Sequence, residues 1–277
     1  MWCGWDLKKE KIVNKTIFCA IIIIGGKMEN KERVYHIGLT RSDIENAKYA
    51  IMPGDPGRVS KIARYLDSYK PLAVNREYTS YLGKIANENV LIISSGMGGP
   101  AAAICVEELH LLGIETIIRV GTCGGMQKDI NPGDLVIAQA AIRQEGTTKE
   151  YVPIEFPAVG NIDVINALRK SADELGYKNY TGIVQSKDSF YGQHSPEKMP
   201  IEYELKQKWD AWIKAGCLAS EMETAALYTV SGIRGIKAGT ILSVIWNQEQ
   251  GNETSNLDLT KAIETAVEAL KLLITGR

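Results

Sequence analysis

The chain has 277 residues, of which 45% are hydrophobic and 23% are charged, and its formal net charge at pH 7 is −1. This is ordinary globular composition, and so small a net charge gives no electrostatic case for a nucleic-acid or membrane partner. The five cysteines form no C-x-x-C pair, so neither a disulfide framework nor a zinc site is indicated, and a reducing cytoplasm fits best.

The first 28 residues differ from the rest of the chain. Several lysines precede the apolar run I-F-C-A-I-I-I-I-G-G at residues 17–26, which is too short to span a bilayer. No A-x-A-like cleavage site follows it. We expect residues 1–28 to be a poorly ordered extension, or an artefact of the choice of start site, and one domain to occupy residues 29–277.

Hydrophobic patterns predict strands and helices that alternate along the chain. The predicted strands are 47–52, 70–75, 78–86, 89–95, 115–121, 134–141, 180–186 and 237–246; the predicted helices are 56–66, 100–112, 163–175, 203–212, 225–231 and 259–275. The sequence shows no internal repeat and no linker between these elements. We therefore predict a single α/β domain.

The most informative predicted strand is the apolar run I-I-R-V at residues 117–120, followed by G-T-C-G-G. An arginine is rarely buried without a partner, so Arg119 needs one. Backbone N–H groups of the glycines and the Thr122 hydroxyl beside this cation would suit an oxyanion such as phosphate. The alternative is a strand that ends in a glycine-rich turn, with Arg119 paired to a structural carboxylate.

Two further glycine-rich segments follow predicted strands. P-G-D-P-G-R at residues 53–58 places Arg58 in the first turn of a helix, where a bound anion would relieve its conflict with the helix dipole. The alternative is a solvated arginine. S-G-M-G-G-P at residues 95–100 lies where ligands bind in open α/β sheets, but it is not a G-x-G-x-x-G fingerprint, so no dinucleotide is predicted.

Two segments in the second half of the chain are suited to an organic ligand. D-S-F-Y-G-Q-H at residues 188–194 is predicted to be a polar and aromatic loop that could form a wall beside a flat ring. Glu221 and Glu223 flank Met222 at a strand-to-helix junction. They are either acids in a first helical turn, which favour the helix dipole, or carboxylates that bind sugar hydroxyls.

Taken together, the segments resemble the nucleoside phosphorylases of the uridine phosphorylase type. The matching segments, in order, are H-I-G-L, P-G-D-P-G-R, N-R-E-Y, S-G-M-G-G-P, R-V-G-T-C-G-G, D-S-F-Y-G-Q and E-M-E-T-A, spread from residue 36 to about residue 250. Each is weak alone, but their common order is specific. The resemblance implies a mixed central β-sheet flanked by helices in a three-layer sandwich.

The resemblance also implies a pentosyltransferase that converts a nucleoside and phosphate to a free base and a pentose 1-phosphate. Uridine is the expected substrate, and deoxyuridine or thymidine are candidate further substrates, in pyrimidine salvage. The implied phosphate-binding residues are Gly54, Arg58, Arg119, Thr122 and Arg76 of a neighbouring subunit; the ribose-binding residues are Glu221, Met222, Glu223 and a neighbour's His36; the base-binding residues are Phe190 and Gln193. Arg58, Arg119 and Glu223 are the expected catalytic groups.

Two departures bear on the choice of base. Purine-cleaving relatives carry an aspartate after the last strand, but residues 243–247 read S-V-I-W-N, which favours a pyrimidine. Many relatives carry a base-contacting arginine two positions past the glutamine, where this chain has Ser195, so His194 or Lys198 could replace it. The alternatives are a purine nucleoside phosphorylase and a non-catalytic nucleoside-binding protein of the same fold.

The resemblance implies no metal and no cofactor, with inorganic phosphate as co-substrate. Some relatives bind a monovalent cation between subunits through the acid after the arginine, here Glu77, but Ala101 stands where they have a serine. The expected assembly is a cytoplasmic homohexamer built of dimers that share active sites, without a nucleic-acid or membrane partner. Cys123, beside the anion site, is either a reactive thiol or a small buried one.

Overall fold

The structure is a computed structural model that describes residues 32–253 and 258–276. The predicted extension 1–28 and the predicted domain start at residue 29 lie outside these residues. The strands are β1 (Tyr49–Pro53), β2 (Ser68–Asn75), β3 (Tyr78–Ile85), β4 (Glu88–Ile93), β5 (Thr116–Gly125), β6 (Leu135–Gln144), β7 (Ala158–Val159), β8 (Asn179–Lys187), β9 (Ala219–Glu221), β10 (Lys237–Asn247) and β11 (Asn252–Glu253). The helices are α1 (Pro56–Ala63), α2 (Gly99–Leu112), α3 (Ile162–Glu174), α4 (Phe190–His194), α5 (Glu202–Lys214), α6 (Thr224–Arg234) and α7 (Thr260–Thr275).

The strands form one mixed sheet, as predicted. Their order is β11-β10-β6-β8-β9-β5-β1-β4-β3-β2, and β7 pairs with β6. Because β10 also pairs with β5, the strands β10, β6, β8, β9 and β5 close into a ring. β5 thus has three neighbours: it runs parallel to β1 and β10 and antiparallel to β9. The strand that carries Arg119 lies at the centre of the sheet.

Helices cover both faces of the sheet and give the expected three layers. One buried cluster joins the sheet to α2 and α6, through residues such as Leu109 and Leu227. The other joins it to α1, α3 and α7, through residues such as Ile62, Leu168 and Leu270. Among the helices described, none combines the length and the apolar character that crossing a membrane requires.

Two local predictions near the site were wrong. The strand predicted to end at residue 121 continues to Gly125, so the glycine run at 121–125 is the second half of β5 and not a turn. A Cβ atom at Gly121 would lie 2.8 Å from Leu242 Cδ2, so glycine lets β10 pack closely against β5 there. The segment at 188–194 is not wholly a loop, because it contains α4, which begins where Ser189 Oγ accepts a hydrogen bond from Gly192 N at 2.9 Å.

Candidate active site

A cavity of about 670 Å³ lies where β1, β5, β8, β9 and β10 end. All the predicted site residues line it except His36 and Arg76. Those that do are Gly54, Arg58, Arg119, Thr122, Phe190, Gln193, Glu221, Met222 and Glu223. Segments that are up to 169 positions apart in the sequence therefore converge on one volume, of a size that suits a small organic ligand.

Two arginines line one end of this cavity. Arg58 lies in the first turn of α1, whose N-cap is Asp55, and its Nε lies 3.7 Å from Asp55 Oδ2. Burial lowers the pKa of the Arg58 guanidinium, and repulsion from Arg119 adds to this against the attraction of Asp55. Two cations that repel each other across a cavity favour an anion between them, and planar guanidinium groups match the oxygens of phosphate.

Arg119 is only 3% exposed, yet its hydrogen bonds are incomplete. One Nη donates to Glu223 Oε2 at 2.5 Å, and the other lies 3.5 Å from Ser95 Oγ. Its Nε is 3.9 Å from Glu221 Oε2, too far for a hydrogen bond, and has no hydrogen-bond partner within the described part of the chain. The Nε is itself enclosed by protein, but the Nη group whose contact with Ser95 Oγ is 3.5 Å belongs to a side chain that lines the cavity, so it has N–H capacity for a ligand there.

The two glutamates at the junction of β9 and α6 have different surroundings. Glu221 accepts hydrogen bonds from Glu223 N and Thr224 N, both at 2.9 Å, and from Ser186 Oγ. Burial, and then repulsion from Glu223, raise the pKa of Glu221. These bonds tie Glu221 to the start of the helix, as the structural alternative expected, although its side chain also lines the cavity.

Glu223 is held from two sides. Its Oε2 pairs with Arg119, and its Oε1 accepts a 2.7 Å hydrogen bond from Gly98 N, in the glycine-rich loop before α2. Gly98 has a φ of 88°, a conformation that glycine adopts without strain. The carboxylate is thereby fixed beside Arg119, with lone pairs left to accept from a ligand hydroxyl.

Aromatic rings form another part of the cavity wall. The ring of His194 lies between those of Phe190 and Trp246, with centroids 4.2 Å and 4.8 Å away. Burial, followed by repulsion from Lys187, lowers the pKa of His194 to about 4, so this ring is neutral at pH 7. Lys198 is exposed and does not line the cavity. Neither of the two residues suggested as replacements for the absent arginine therefore brings a charge to this wall.

Sequence reasoning missed two residues of the cavity, Lys187 and Ser220. Lys187 is the last residue of β8, and its Nζ donates to Ser220 Oγ at 2.6 Å. Ser220 Oγ in turn donates to Gln193 Oε1 at 2.6 Å. The position of Lys187 in the sequence could have indicated it. Lys187 directly precedes the D-S-F-Y-G-Q segment and directly follows the strand that was predicted to end at Ser186.

Among the described residues at the end of β10, those that line the cavity carry no acid. Ile245 and Trp246 line the wall. Asn247 is buried, and its Nδ2 donates to the carbonyl oxygens of Gln127 and Ile130 at 2.8 and 2.7 Å. Ile245 and Trp246 therefore stand where purine-cleaving relatives were expected to have an acid, and Asn247 joins the end of β10 to the segment that follows β5.

Cys123 also lines the cavity, and its environment matches the description of a small buried thiol. It is 3% exposed, and burial raises the pKa of its thiol far above the ordinary value. A thiol that remains protonated is a poor nucleophile. The reactive alternative is therefore not supported.

His36 and Arg76 lie together outside this cavity. The guanidinium of Arg76, which is exposed, stands 5.8 Å from the ring centroid of Tyr35, and Tyr35 meets the His36 ring edge-on at 4.8 Å. Glu108 fixes His36 by accepting from its Nδ1 at 2.7 Å and its backbone N at 2.8 Å. The two residues expected to serve a neighbour's site are thus close to each other, and their role in such a site stays a prediction.

Comparison with known proteins agrees with these features. The family model described as the phosphorylase superfamily matches residues 48–276. A uridine phosphorylase of Treponema pallidum is 51% identical over 245 residues, covering 87% of this chain and 94% of the relative. A uridine phosphorylase of Escherichia coli is 36% identical, covering 88% and 100%. A guanosine phosphorylase of Halorubrum lacusprofundi is 38% identical, covering 79% and 85%. The resemblance seen in the sequence is confirmed, and the chain belongs to the phosphorylase superfamily.

Proposed function

We propose that this chain catalyses the phosphorolysis of uridine to uracil and ribose 1-phosphate, as a pentosyltransferase of pyrimidine salvage. The observation that carries the proposal is one cavity lined by two arginines, by a carboxylate fixed beside Arg119, and by an aromatic wall with an amide. The relatives named uridine phosphorylase, which align with 86–88% of the chain, support it.

The arginine end suits the nucleophile. Hydrogen phosphate held by Arg58, Arg119 and Thr122 would place an oxygen beneath the anomeric carbon of the ribose. That oxygen forms the new bond to C1′ as the bond from C1′ to N1 of the base breaks and the electron pair leaves with the base. The proton of hydrogen phosphate finally neutralises the departing base. Positive charge that develops on the sugar ring is stabilised by the anion beneath it.

The remaining groups orient the nucleoside. Glu223, fixed by Arg119 and Gly98, would accept hydrogen bonds from the ribose hydroxyls, and Met222 would pack against the sugar. Phe190 would lie against the base, and Gln193 would bond its amide edge. A site built for a polar edge rejects analogues that lack it by roughly 10⁴–10⁵-fold. Phosphate is a co-substrate in this scheme, and we infer that no metal or cofactor takes part.

The base half of the cavity favours a pyrimidine over a purine. A purine leaves best when its N7 is protonated, which calls for an acid near the base. The carboxylates that line the described cavity are Asp55, Glu221 and Glu223, and they accompany the arginines rather than the aromatic wall. A purine nucleoside is the second candidate substrate, because one relative of comparable identity is named guanosine phosphorylase.

The decisive experiment measures uracil release from uridine with and without phosphate, with inosine and guanosine assayed beside it. We expect release only with phosphate, uridine as the best substrate, and no effect of EDTA. Phosphate-independent cleavage, or faster turnover of either purine nucleoside, would contradict the proposal. Calorimetric binding of uridine without any release would identify the non-catalytic alternative.

We also infer a cytoplasmic hexamer built of dimers that share active sites. His36 and Arg76 lie outside their own chain's cavity, which supports their service to a neighbour. A subunit pair tests this sharply: R76A and R119K chains are each expected to form inactive assemblies. Co-expressed together, they should regain activity, because one site of a mixed dimer combines an intact Arg119 with the neighbour's intact Arg76. Failure to regain activity in a proven mixed assembly, or an active monomer, would refute shared sites.

A further inference from the structure

Lys187 is a buried cation of the cavity that Ser220 joins to Gln193, and neither the sequence motifs nor the roles above account for it. Its side chain lines the cavity, and the residue is 6% exposed. Lysine is almost never so buried unless it is paired. Within residues 32–253 and 258–276 no ion pair shorter than 4.0 Å joins Lys187 to a carboxylate, so its charge has no direct counter-ion there.

The ammonium group of Lys187 uses only part of its hydrogen-bonding capacity. An ammonium has three donors, and within the described chain Lys187 Nζ makes one hydrogen bond, to Ser220 Oγ at 2.6 Å. Ser220 Oγ in turn donates a hydrogen bond to Gln193 Oε1 at 2.6 Å, and Gln193 Nε2 lies 3.4 Å from Gln248 Oε1. The lysine and the amide expected to bind the base are therefore tied to one hydroxyl, and two N–H groups of the ammonium remain for a ligand.

Among the described residues, few other cations line this cavity. The described cationic side chains that line it are Arg58, Arg119 and Lys187. His194 also lines it but is neutral at pH 7. Arg119 is engaged with Glu223, and Arg58 lies beside Asp55. Lys187 is thus the cation that shares a hydrogen-bond network with Gln193.

We propose that Lys187 is a further catalytic residue of this site, whose ammonium donates to a carbonyl oxygen of the pyrimidine ring and stabilises the negative charge that collects there as the glycosidic bond breaks. The inference rests on the proposed function. The electron pair of the broken bond moves onto N1 and is delocalised to the carbonyl oxygens. Lys187 keeps its own proton, since the base is finally neutralised by the proton of hydrogen phosphate. Ser220 positions the lysine and Gln193 together.

The charge state of Lys187 fits this role at neutral pH. Burial lowers the pKa of Lys187 to about 8. Nearby Glu221, Glu223 and Cys123 act in the opposite direction and raise it, but by less. The other titratable group that faces it is His194, whose pKa Lys187 helps to lower. The ammonium is therefore mostly charged at pH 7 and loses its charge above about pH 8, where stabilisation of the leaving base should fail.

The test compares K187Q, K187R and K198Q with the wild type on uridine and on 5-fluorouridine. Fluorine withdraws electrons, so the fluorinated base leaves with less help. We expect K187Q to lower kcat for uridine by about 10²–10³-fold, as loss of one oxyanion donor does. The loss should be clearly smaller for 5-fluorouridine, the KM for phosphate should be unchanged, and K198Q should behave as the wild type.

K187R supplies a second readout if K187Q does not fold, which thermal unfolding will show. Arginine stays charged over the whole range, so the alkaline fall of kcat/KM near pH 8 should move to higher pH in K187R. Equal losses on both nucleosides, a defect confined to the KM for phosphate, full activity in K187Q, or an unmoved alkaline limb in K187R would overturn the inference. A wild type without phosphorolysis would instead refute the proposed function itself.

Discussion

Arg119 on β5 and Arg143 on β6 are both buried, with 3% and 8% of their surface exposed, and each borders a cavity, but their hydrogen bonds differ. Arg143 donates from Nε to Thr148 Oγ1 and from its two Nη atoms to backbone carbonyl oxygens at 2.5–3.1 Å. These belong to Thr148, Val152, Pro153, Ile154 and Phe156. Arg119 leaves Nε without a hydrogen bond and lines the cavity.

The difference separates a structural cation from a binding one. The segment after β6 has little regular structure, so its carbonyl groups lack ladder partners, and Arg143 supplies the donors that they need. Its capacity is used within the chain. Arg119 has capacity left over, at a place where Arg58 adds a second charge. Burial alone does not separate the two roles. Unused hydrogen-bond capacity, a cavity beside it and a second cation together distinguish Arg119 from Arg143.

The largest expected effect tests the binding side of this comparison. R119K keeps a positive charge beside Glu223 but loses the planar fork that meets phosphate. We expect kcat/KM for uridine to fall by about 10²–10³-fold, with a small change in melting temperature. Steady-state kinetics and thermal unfolding measure both quantities. A variant with near-normal kinetics would remove Arg119 from the proposed phosphate site.

R143K is the matched change on the structural side. Lysine cannot reach all the oxygens that the guanidinium joins, so several buried carbonyl groups lose their donors. We expect a loss of about 3 kcal/mol in the free energy of unfolding. That corresponds to a melting temperature lower by roughly 6–12 °C. At a permissive temperature, turnover of uridine should stay close to that of the wild type. Lost turnover with unchanged stability would reverse the assignment of the two arginines.

The fold was largely accessible from the sequence because its signals are local. Apolar runs and glycine punctuation predicted most strands and helices, and alternation predicted one α/β domain. The end of the strand after Arg119 was predicted wrongly, because a glycine run taken by itself is typical of a turn. Here the glycine at position 121 leaves space for Leu242 on β10 to pack closely. That contact is made between strands far apart in the chain, and no local pattern contains it.

The site was predicted where a residue breaks its local pattern. Arg119 interrupts an apolar strand, and this conflict indicated that it needs a partner, which the family resemblance then identified as phosphate. Lys187 was missed because a lysine at the end of a strand conflicts with nothing until the fold buries it. The same holds for Arg143, whose partners lie in an irregular segment that no periodicity describes. Burial and unused donors are properties of the folded chain.

A smaller effect should come from Thr148, which links Arg143 to Glu145. Its Oγ1 accepts from Arg143 Nε at 2.9 Å and donates to the Glu145 carboxylate. T148V keeps the shape of the side chain and removes both bonds, so we expect a loss of about 2 kcal/mol in unfolding free energy. In a double mutant with R143K the losses should be less than additive, because the two residues share a bond. Strict additivity in thermal unfolding would show that they act separately.

The smallest expected effect concerns pH, and it contrasts the cavity wall with the segment around Arg143. The carbonyl oxygens bound to Arg143 do not titrate, whereas His194 does, with its pKa lowered to about 4 from an ordinary value of 6.5. Between these values the unfolded chain binds a proton that the native chain does not, so stability present above pH 6.5 is lost as the pH falls towards 4.

H194F keeps a ring between Phe190 and Trp246 but cannot titrate. Since the His194 ring is only partly buried, solvent screening reduces its contribution to about 1 kcal/mol. The difference in unfolding free energy between pH 7 and pH 5 should therefore shrink by about that amount in H194F. Between pH 7 and pH 8 the two proteins should change in parallel, which provides the internal control. If H194F loses as much unfolding free energy between pH 7 and pH 5 as the wild type, other groups cause the acid sensitivity. The assignment of a neutral His194 ring to the aromatic wall would then be contradicted.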